Sequence, residues 1–290
     1  MNILVTGGRG QLALCIKQEA QENAGEHVFF FPDRADLDIT RFEAVAQFAA
    51  DHKIDAIINT AAYTAVDLAE EETEAALALN HLAVKHLGEL CKKNKIRLIH
   101  LSTDYVFDGS GCKPYKVTDQ TVPVNAYGNS KRAGERALET INIPNSCVIR
   151  TSWLYSEFNA NFCKTMLKLA SERSELQVVD DQIGTPTYAR DLALFILKYA
   201  LNLKTEGPKI FHYTNEGVAS WYDFAVAIFQ LSKSNIRVMP VSSTDFATKA
   251  QRPSYSVLDK TELKEYFGCA IPYWRTSLVA CLTRLNQIPS

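Results

Sequence analysis

A chain of 290 residues, 47% of them hydrophobic and 22% charged, has the size and composition of one large folded domain or two unequal ones, which excludes a disordered chain. The formal net charge of -2 leaves no basic field, so nucleic acid is not an expected partner. The opening MNILVTGGRG lacks the charged stretch and long apolar core of a signal peptide. No apolar run reaches the ~18 residues of a membrane span, so a cytoplasmic protein with no membrane partner is expected.

The first predicted strand, residues 3–6, runs straight into Gly7-Gly8-Arg9-Gly10-Gln11-Leu12-Ala13, and helical spacing takes over across 11–23. A glycine-rich turn between a strand and a helix is the setting in which a dinucleotide is held. Gly7 permits the tight turn, Gly10 lets the backbone approach the pyrophosphate, and Ala13 is small enough for helix–sheet packing. The helix start that holds Gln11 and Leu12 supplies N–H groups and partial positive charge to the phosphates.

A second strand, 28–31, is followed by Pro32, Asp33 and Arg34. An acidic residue here accepts from the adenosine ribose hydroxyls, and a neighbouring arginine suits a 2′-phosphate, so NADH and NADPH are both admitted. Asp38 and Ile39 then fall where an adenine edge and face are met. A helix is predicted over 41–51, a strand over 56–59, a long helix over 67–93 and a strand over 98–102. A helix over 127–140 and a strand over 147–150 follow. Strands alternating with helices in this way predict an α/β, Rossmann-type doubly wound parallel sheet.

Thr103 ends the strand that leads into LSTDYVFDG, at the carboxyl edge where open α/β sheets bind ligands. In AYGNSKRAGE, Tyr127 and Lys131 stand four apart and share one helix face, with Cβ atoms roughly 5–6 Å apart. A free phenol has a pKa near 10, and lowering it to about 7 takes roughly 4 kcal/mol. A close Lys131 ammonium and the positive charge of an oxidised nicotinamide supply that shift. Thr103 then orients a carbonyl oxygen, Tyr127 protonates it, and Lys131 also holds the nicotinamide ribose.

Past residue 151 the pattern loosens into helices over 160–171, 188–202, 221–232 and 261–267, with prolines between them. The expected division is a cofactor domain over 1–152 with a return near 186–214. A smaller substrate domain takes 153–185 and 215–290. The seven cysteines form no C-x-x-C and read as reduced, small apolar residues, and the six histidines show no metal-ligand spacing, so no metal is expected. Asn80, in apolar surroundings on a helix, is expected to make a structural hydrogen bond. Trp153, just after a strand end, offers a flat wall to a hexose.

The segments TGGRGQL, NTAAYTAVDLAE, LSTDYVFDG, AYGNSKRAGE, IRTSWLY, GTPTYARDLA and RPSYSVLD fall in the order and spacing of a known family. The chain resembles the extended short-chain dehydrogenase/reductases, and within them the dTDP-4-dehydrorhamnose reductases, over nearly its whole length. The resemblance implies reduction of dTDP-4-dehydro-L-rhamnose to dTDP-L-rhamnose with NADPH or NADH, the alternative being reduction of another nucleotide-4-keto-6-deoxysugar. It implies that Ala61, Ala62 and Tyr63 lie along the cofactor, and that Thr103, Asp104, Tyr105, Tyr127 and Trp153 line the sugar site. Arg252 of RPSYSVLD either meets the nucleotide diphosphate or forms a plain surface ion pair. Some relatives dimerise around Mg²⁺ held by helix glutamates; this chain has Cys15 where one is expected, and Arg190 stands near where another would fall. A magnesium-bridged pair is therefore not expected, and monomer and homodimer both stay open. The rival 4,6-dehydratases carry a second carboxylate after the threonine, where this chain has Tyr105. A non-catalytic, reductase-like regulatory subunit would not need Thr103, Tyr127 and Lys131 together.

Overall fold

The computed structural model describes residues 1–23, 25–246 and 248–288. In chain order it forms β1 (Asn2–Thr6), α1 (Gln11–Asn23), β2 (Val28–Phe30), α2 (Phe42–Asp51), β3 (Ala56–Asn59), α3 (Thr73–Leu77) and α4 (Ala83–Asn94). Then come β4 (Arg97–Thr103), α5 (Ala126–Ile141) and β5 (Cys147–Thr151). A parallel sheet of six strands has the order Lys209–His212, β5, β4, β3, β1, β2. These strands read as unbroken apolar runs because both faces are covered. On one face Ile3, Val5 and Ile58 pack with Ile16 of α1 and with Leu192 and Ile196 of helix Ala189–Lys198. On the other, Leu4, Ile57 and Leu98 pack with Val45 of α2, Leu87 of α4 and Leu138 of α5.

The chain runs from β1 outward to β2 and then crosses back to β3 on the other side of β1. This reversal opens a crevice at the carboxyl ends of β1 and β3, the place where such sheets take ligands. Register keeps those ends level: Thr6 lies beside Asn59, Asn59 beside His100, and Thr103 beside Thr151. A third apolar cluster sits apart from the sheet. It is built by Cys163 and Met166 of helix Phe162–Glu172, Phe224 and Ile228 of helix Trp221–Leu231, and Leu278 and Leu282 of helix Trp274–Arg284.

Some elements differ from the sequence expectation. The long helix over 67–93 is broken into a short turn Leu68–Glu70, α3, a wide π-type segment Ala78–Leu82, and α4. Asn80 lies in that wide segment and explains it. Its side chain accepts from Tyr63 N at 2.9 Å and donates to Tyr63 O at 3.0 Å and to Ser130 Oγ at 2.9 Å. A Cβ on Gly134 would collide with the Asn80 carbonyl, so only glycine lets α5 approach this turn. Helix Trp274–Arg284 and the parallel pair Glu175–Val179 with Arg237–Val241 were not expected. The second strand of that pair contains Pro240, which suits an edge position and hides the strand from a periodicity reading.

Candidate active site

β1 delivers the chain at Thr6 into a turn that is held from three sides. Gly7 has φ +67°, and a Cβ there would sit 3.0 Å from Ala61 Cα. Gly8 N donates to Pro32 O at 3.0 Å, with no room for a side chain against Phe31 O. Gly10 N donates to Gly7 O at 2.7 Å, and α1 begins at Gln11. Gln11 is fixed in turn, its Oε1 accepting from Ser156 Oγ at 2.9 Å and Asn161 Nδ2 at 3.0 Å.

From this turn a cleft of about 840 Å³ runs across the carboxyl ends of the strands. It brings together Gly7, Gly10, Gln11, Leu12, Asp33, Arg34, Asp38, Ile39, Ala61 and Ala62 at one end. Thr103, Asp104, Tyr105, Tyr127, Lys131 and Trp153 line the rest. Tyr63 and Arg252 are not on its wall. Tyr63 turns its hydroxyl to Glu72 at 2.8 Å, and its backbone is held by Asn80. Arg252 pairs with Asp67 at 2.7 Å and also interacts with Tyr105 of the cleft wall.

At the nucleoside end the charges are already matched. Asp33 accepts from Ala35 N at 2.7 Å and Asp36 N at 3.0 Å and pairs with Arg9, and its carboxyl is held below the usual range, chiefly by the Asp36 backbone bond. Arg34 Nε lies 3.3 Å from Asp38 Oδ2, while Asp38 Oδ1 caps Thr40. Asp38 is thus fixed by the turn while it lines the cleft. Arg9 was missed from the sequence, although its place inside the glycine turn was a usable signal.

At the other end, Asn125 caps α5 by accepting from Gly128 N at 2.7 Å. Gly128 touches the Tyr105 carbonyl so closely that a Cβ would collide, which seats α5 directly against the end of β4. Lys131 is buried and donates from Nζ to Leu101 O at 2.6 Å. Burial lowers its pKa to about 8, opposed by Glu135. Burial raises the Tyr127 phenol to about 12, with the Thr103 hydroxyl pulling the other way and the Asp104 charge adding to the rise. Asp104 is raised by burial to about 6, with Ser256 and Thr103 opposing, and its Oδ1 accepts from Thr103 Oγ1 at 3.1 Å.

Trp153 lies on the cleft wall in an unusual backbone conformation. It has φ +46°, a left-handed conformation that costs a bulky residue roughly 1–2 kcal/mol. Its ring stacks on Trp221 with centroids 3.6 Å apart and planes 10° apart, and a Cβ on Gly184 would meet it at 2.7 Å. One ring face is therefore covered by Trp221, another cleft residue that no motif announced. Ser102 and Thr151, also on the wall, hold buried hydroxyls with no partner. Buried hydroxyls without partners are expected to take a polar ligand or water. Together with the glycine turn that a side chain would fill, they fit a bound dinucleotide.

Residues 1–287 match the model of the RmlD substrate binding domain family. The chain is 39% identical to the dTDP-4-dehydrorhamnose reductase of Aggregatibacter actinomycetemcomitans, over 95% of this chain and 96% of that protein. The chain belongs to the dTDP-4-dehydrorhamnose reductase family. Its fold is similar to the crystal structure of such a reductase from Clostridium acetobutylicum, with a TM-score of 0.92 and 37% identity over 99% of this chain and 100% of that one. A Bacillus anthracis reductase of the family, solved in complex with NADP, gives a TM-score of 0.91 at 34% identity over 98% and 99% of the two chains. The Rossmann-type reading of the sequence is therefore correct. Arg190 ion-pairs with Glu19 and Glu157 and hydrogen-bonds Gln18, and Cys15 is buried. Among the described residues, no group of three or more His, Cys, Asp or Glu is arranged to hold a metal, and no helix is long and apolar enough to cross a membrane.

Proposed function

We propose that Thr103, Tyr127 and Lys131 carry the proton half of a carbonyl reduction in this cleft. The chain is an NAD(P)H-dependent dTDP-4-dehydrorhamnose reductase, which converts the C4 carbonyl of dTDP-4-dehydro-L-rhamnose to the alcohol of dTDP-L-rhamnose. The observation that carries the assignment of roles is the meeting of Tyr127 and Thr103 at the end of β4, with Lys131 buried one turn along α5. The residues of the glycine turn hold the dinucleotide phosphates, and Ser102 and Thr151 offer their unpartnered hydroxyls near the nicotinamide end. When bound, the reduced nicotinamide supplies hydride to C4.

The high pKa of Tyr127 suits this direction of reaction. At neutral pH the phenol is fully protonated and ready to give its proton to the developing alkoxide oxygen. The Thr103 hydroxyl rotates from Asp104 to donate to the same oxygen, adding a hydrogen bond as negative charge grows there. Lys131 then stabilises the tyrosinate left behind and holds the nicotinamide ribose. Trp153, backed by Trp221, closes one wall against the sugar.

The division into a cofactor domain over 1–152 and 186–214 and a substrate domain over 153–185 and 215–290 belongs to the same proposal. It is supported by strand Lys209–His212 beside β5 and by the separate apolar cluster of the later helices. The enzyme is placed in the cytoplasm as a monomer or homodimer acting on a small nucleotide sugar. Tyr127→Phe tests the roles: turnover should fall at least about a hundredfold, the lower range for loss of a general acid, while NADPH affinity stays near wild type. Near-normal turnover would remove Tyr127 as the donor.

A further inference from the structure

Behind the cleft lies a charged network that the chemistry above does not use. Tyr127, Lys131 and Glu135 follow one another at four-residue steps, so they share one face of α5. Tyr127 and Lys131 reach the cleft, whereas Glu135 is fully buried beneath it. Its two oxygens accept from the buried Arg150 of β5, Nε to Oε1 at 3.0 Å and Nη2 to Oε2 at 2.8 Å. Arg132 adds a bond to Oε2 at 3.3 Å. Arg150 also reaches His212 Nε2 at 3.3 Å, and its guanidinium lies 5.2 Å from the centre of the Phe107 ring.

A buried bidentate pair is costly to assemble and costlier to break on one side. Nothing in packing alone calls for a carboxylate at this point. The groups facing Lys131 supply a reason. Tyr127 and Glu135 flank it on α5, His100 faces it from β4, and Arg150 stands behind Glu135 on β5. Burial and the Lys131 charge keep His100 well below its ordinary pKa, and burial with Arg150 lowers His212 to about 3, so both rings are neutral. Among these groups Glu135 is the anion set against the buried cations Lys131 and Arg150.

We propose that Glu135, locked in place by Arg150 one helical turn from Lys131, is a positioning residue that keeps Lys131 charged under the cleft. This rests on the role given to Lys131 above. Without the Glu135 charge, an ammonium that burial has already brought to about 8 would lose its proton nearer neutrality. Arg150 then has two tasks: it fixes the carboxylate and ties the catalytic helix to the sheet.

The test is the pH profile of kcat/KM for NADPH, which reports groups of the free enzyme. In Glu135→Gln the alkaline limb should move to lower pH by about one unit, with activity recovering toward the wild-type value as the pH falls. Glu135→Asp, which keeps the charge, should leave the limb close to its wild-type position. Because the single change strands Arg150, Glu135→Gln/Arg150→Met is made alongside it, and its limb should also move down, by less. A limb at the wild-type position in whichever of the glutamine variants folds, or a loss uniform across pH, overturns the proposal. Lys131→Met separates this from the reading beneath it. If that variant stays active, the assigned role of Lys131 fails. If it is inactive while the glutamine variants keep the wild-type limb, only the role of Glu135 fails.

Discussion

Replacing Lys131 by methionine should remove activity and stabilise the protein at once. The ammonium is buried, and its pKa falls from the ordinary 10.5 to about 8, so holding it charged inside the fold is unfavourable by about 3 kcal/mol. Methionine removes that term but also the 2.6 Å bond from a charged donor to Leu101 O, worth about 2 kcal/mol. The net expectation at pH 7 is roughly 1 kcal/mol of added stability, or about 2 °C in Tm for a chain of this length. The sign against pH follows from where the protons sit. Between about 8 and 10.5 the unfolded chain holds a proton on this lysine that the folded chain has released, so wild-type stability gains from this group as pH rises through that window. The methionine variant lacks that gain, and its advantage should shrink from pH 7 to pH 10. Scanning calorimetry of both proteins at the two pH values, with turnover measured on the same samples, checks the chain of reasoning. A lower Tm for the variant at pH 7, or turnover within about tenfold of wild type, would refute it.

Asp104→Asn should also stabilise, by about 3 kcal/mol at most at pH 7 and little at pH 4. The native carboxyl stays protonated up to about 6 in the fold but ionises near 3.8 when unfolded, so its destabilising effect grows as pH rises across that range. Paired urea melts at the two pH values would show this, and an equal gain at both would count against it. For cofactor choice, Arg9→Ala and Arg34→Ala should each lower kcat/KM for NADPH about tenfold or more while affecting NADH less, since a charged bond to the 2′-phosphate is lost. Equal losses with both cofactors would show that neither arginine reads that phosphate. Gly128→Ala should destabilise by about 1–3 kcal/mol and reduce kcat, because its Cβ must push α5 off the Tyr105 carbonyl. A variant with native Tm and kcat would mean that this contact does not set the helix.

The parts of this molecule that were legible in its sequence are those governed by short repeats. Buried parallel strands must be apolar on both faces, so Ile3, Leu4 and Val5 announce β1 without reference to any partner. A helix returns to the same face every four residues, which put Tyr127 and Lys131 together before any coordinate was known. What stayed hidden depends on distant segments meeting. Trp221 joins Trp153 across 68 positions, Arg9 finds Asp33 only once the β1 and β2 ends are level, and Arg150 reaches Glu135 from the neighbouring strand. The burial that governs the Tyr127 pKa is hidden for a related reason. Spacing reveals that an ammonium is near a phenol, but the outcome depends on how much water the surrounding chain excludes, and that is a property of the whole cleft. A phenol that must donate a proton is best left fully protonated until negative charge appears on the substrate oxygen, and burial accomplishes this. The same burial lowers Lys131, so the ammonium proposed to stabilise the tyrosinate is the one most in danger of losing its own charge. A carboxylate on the far side of that lysine, held by an arginine with a permanent charge, resolves the conflict.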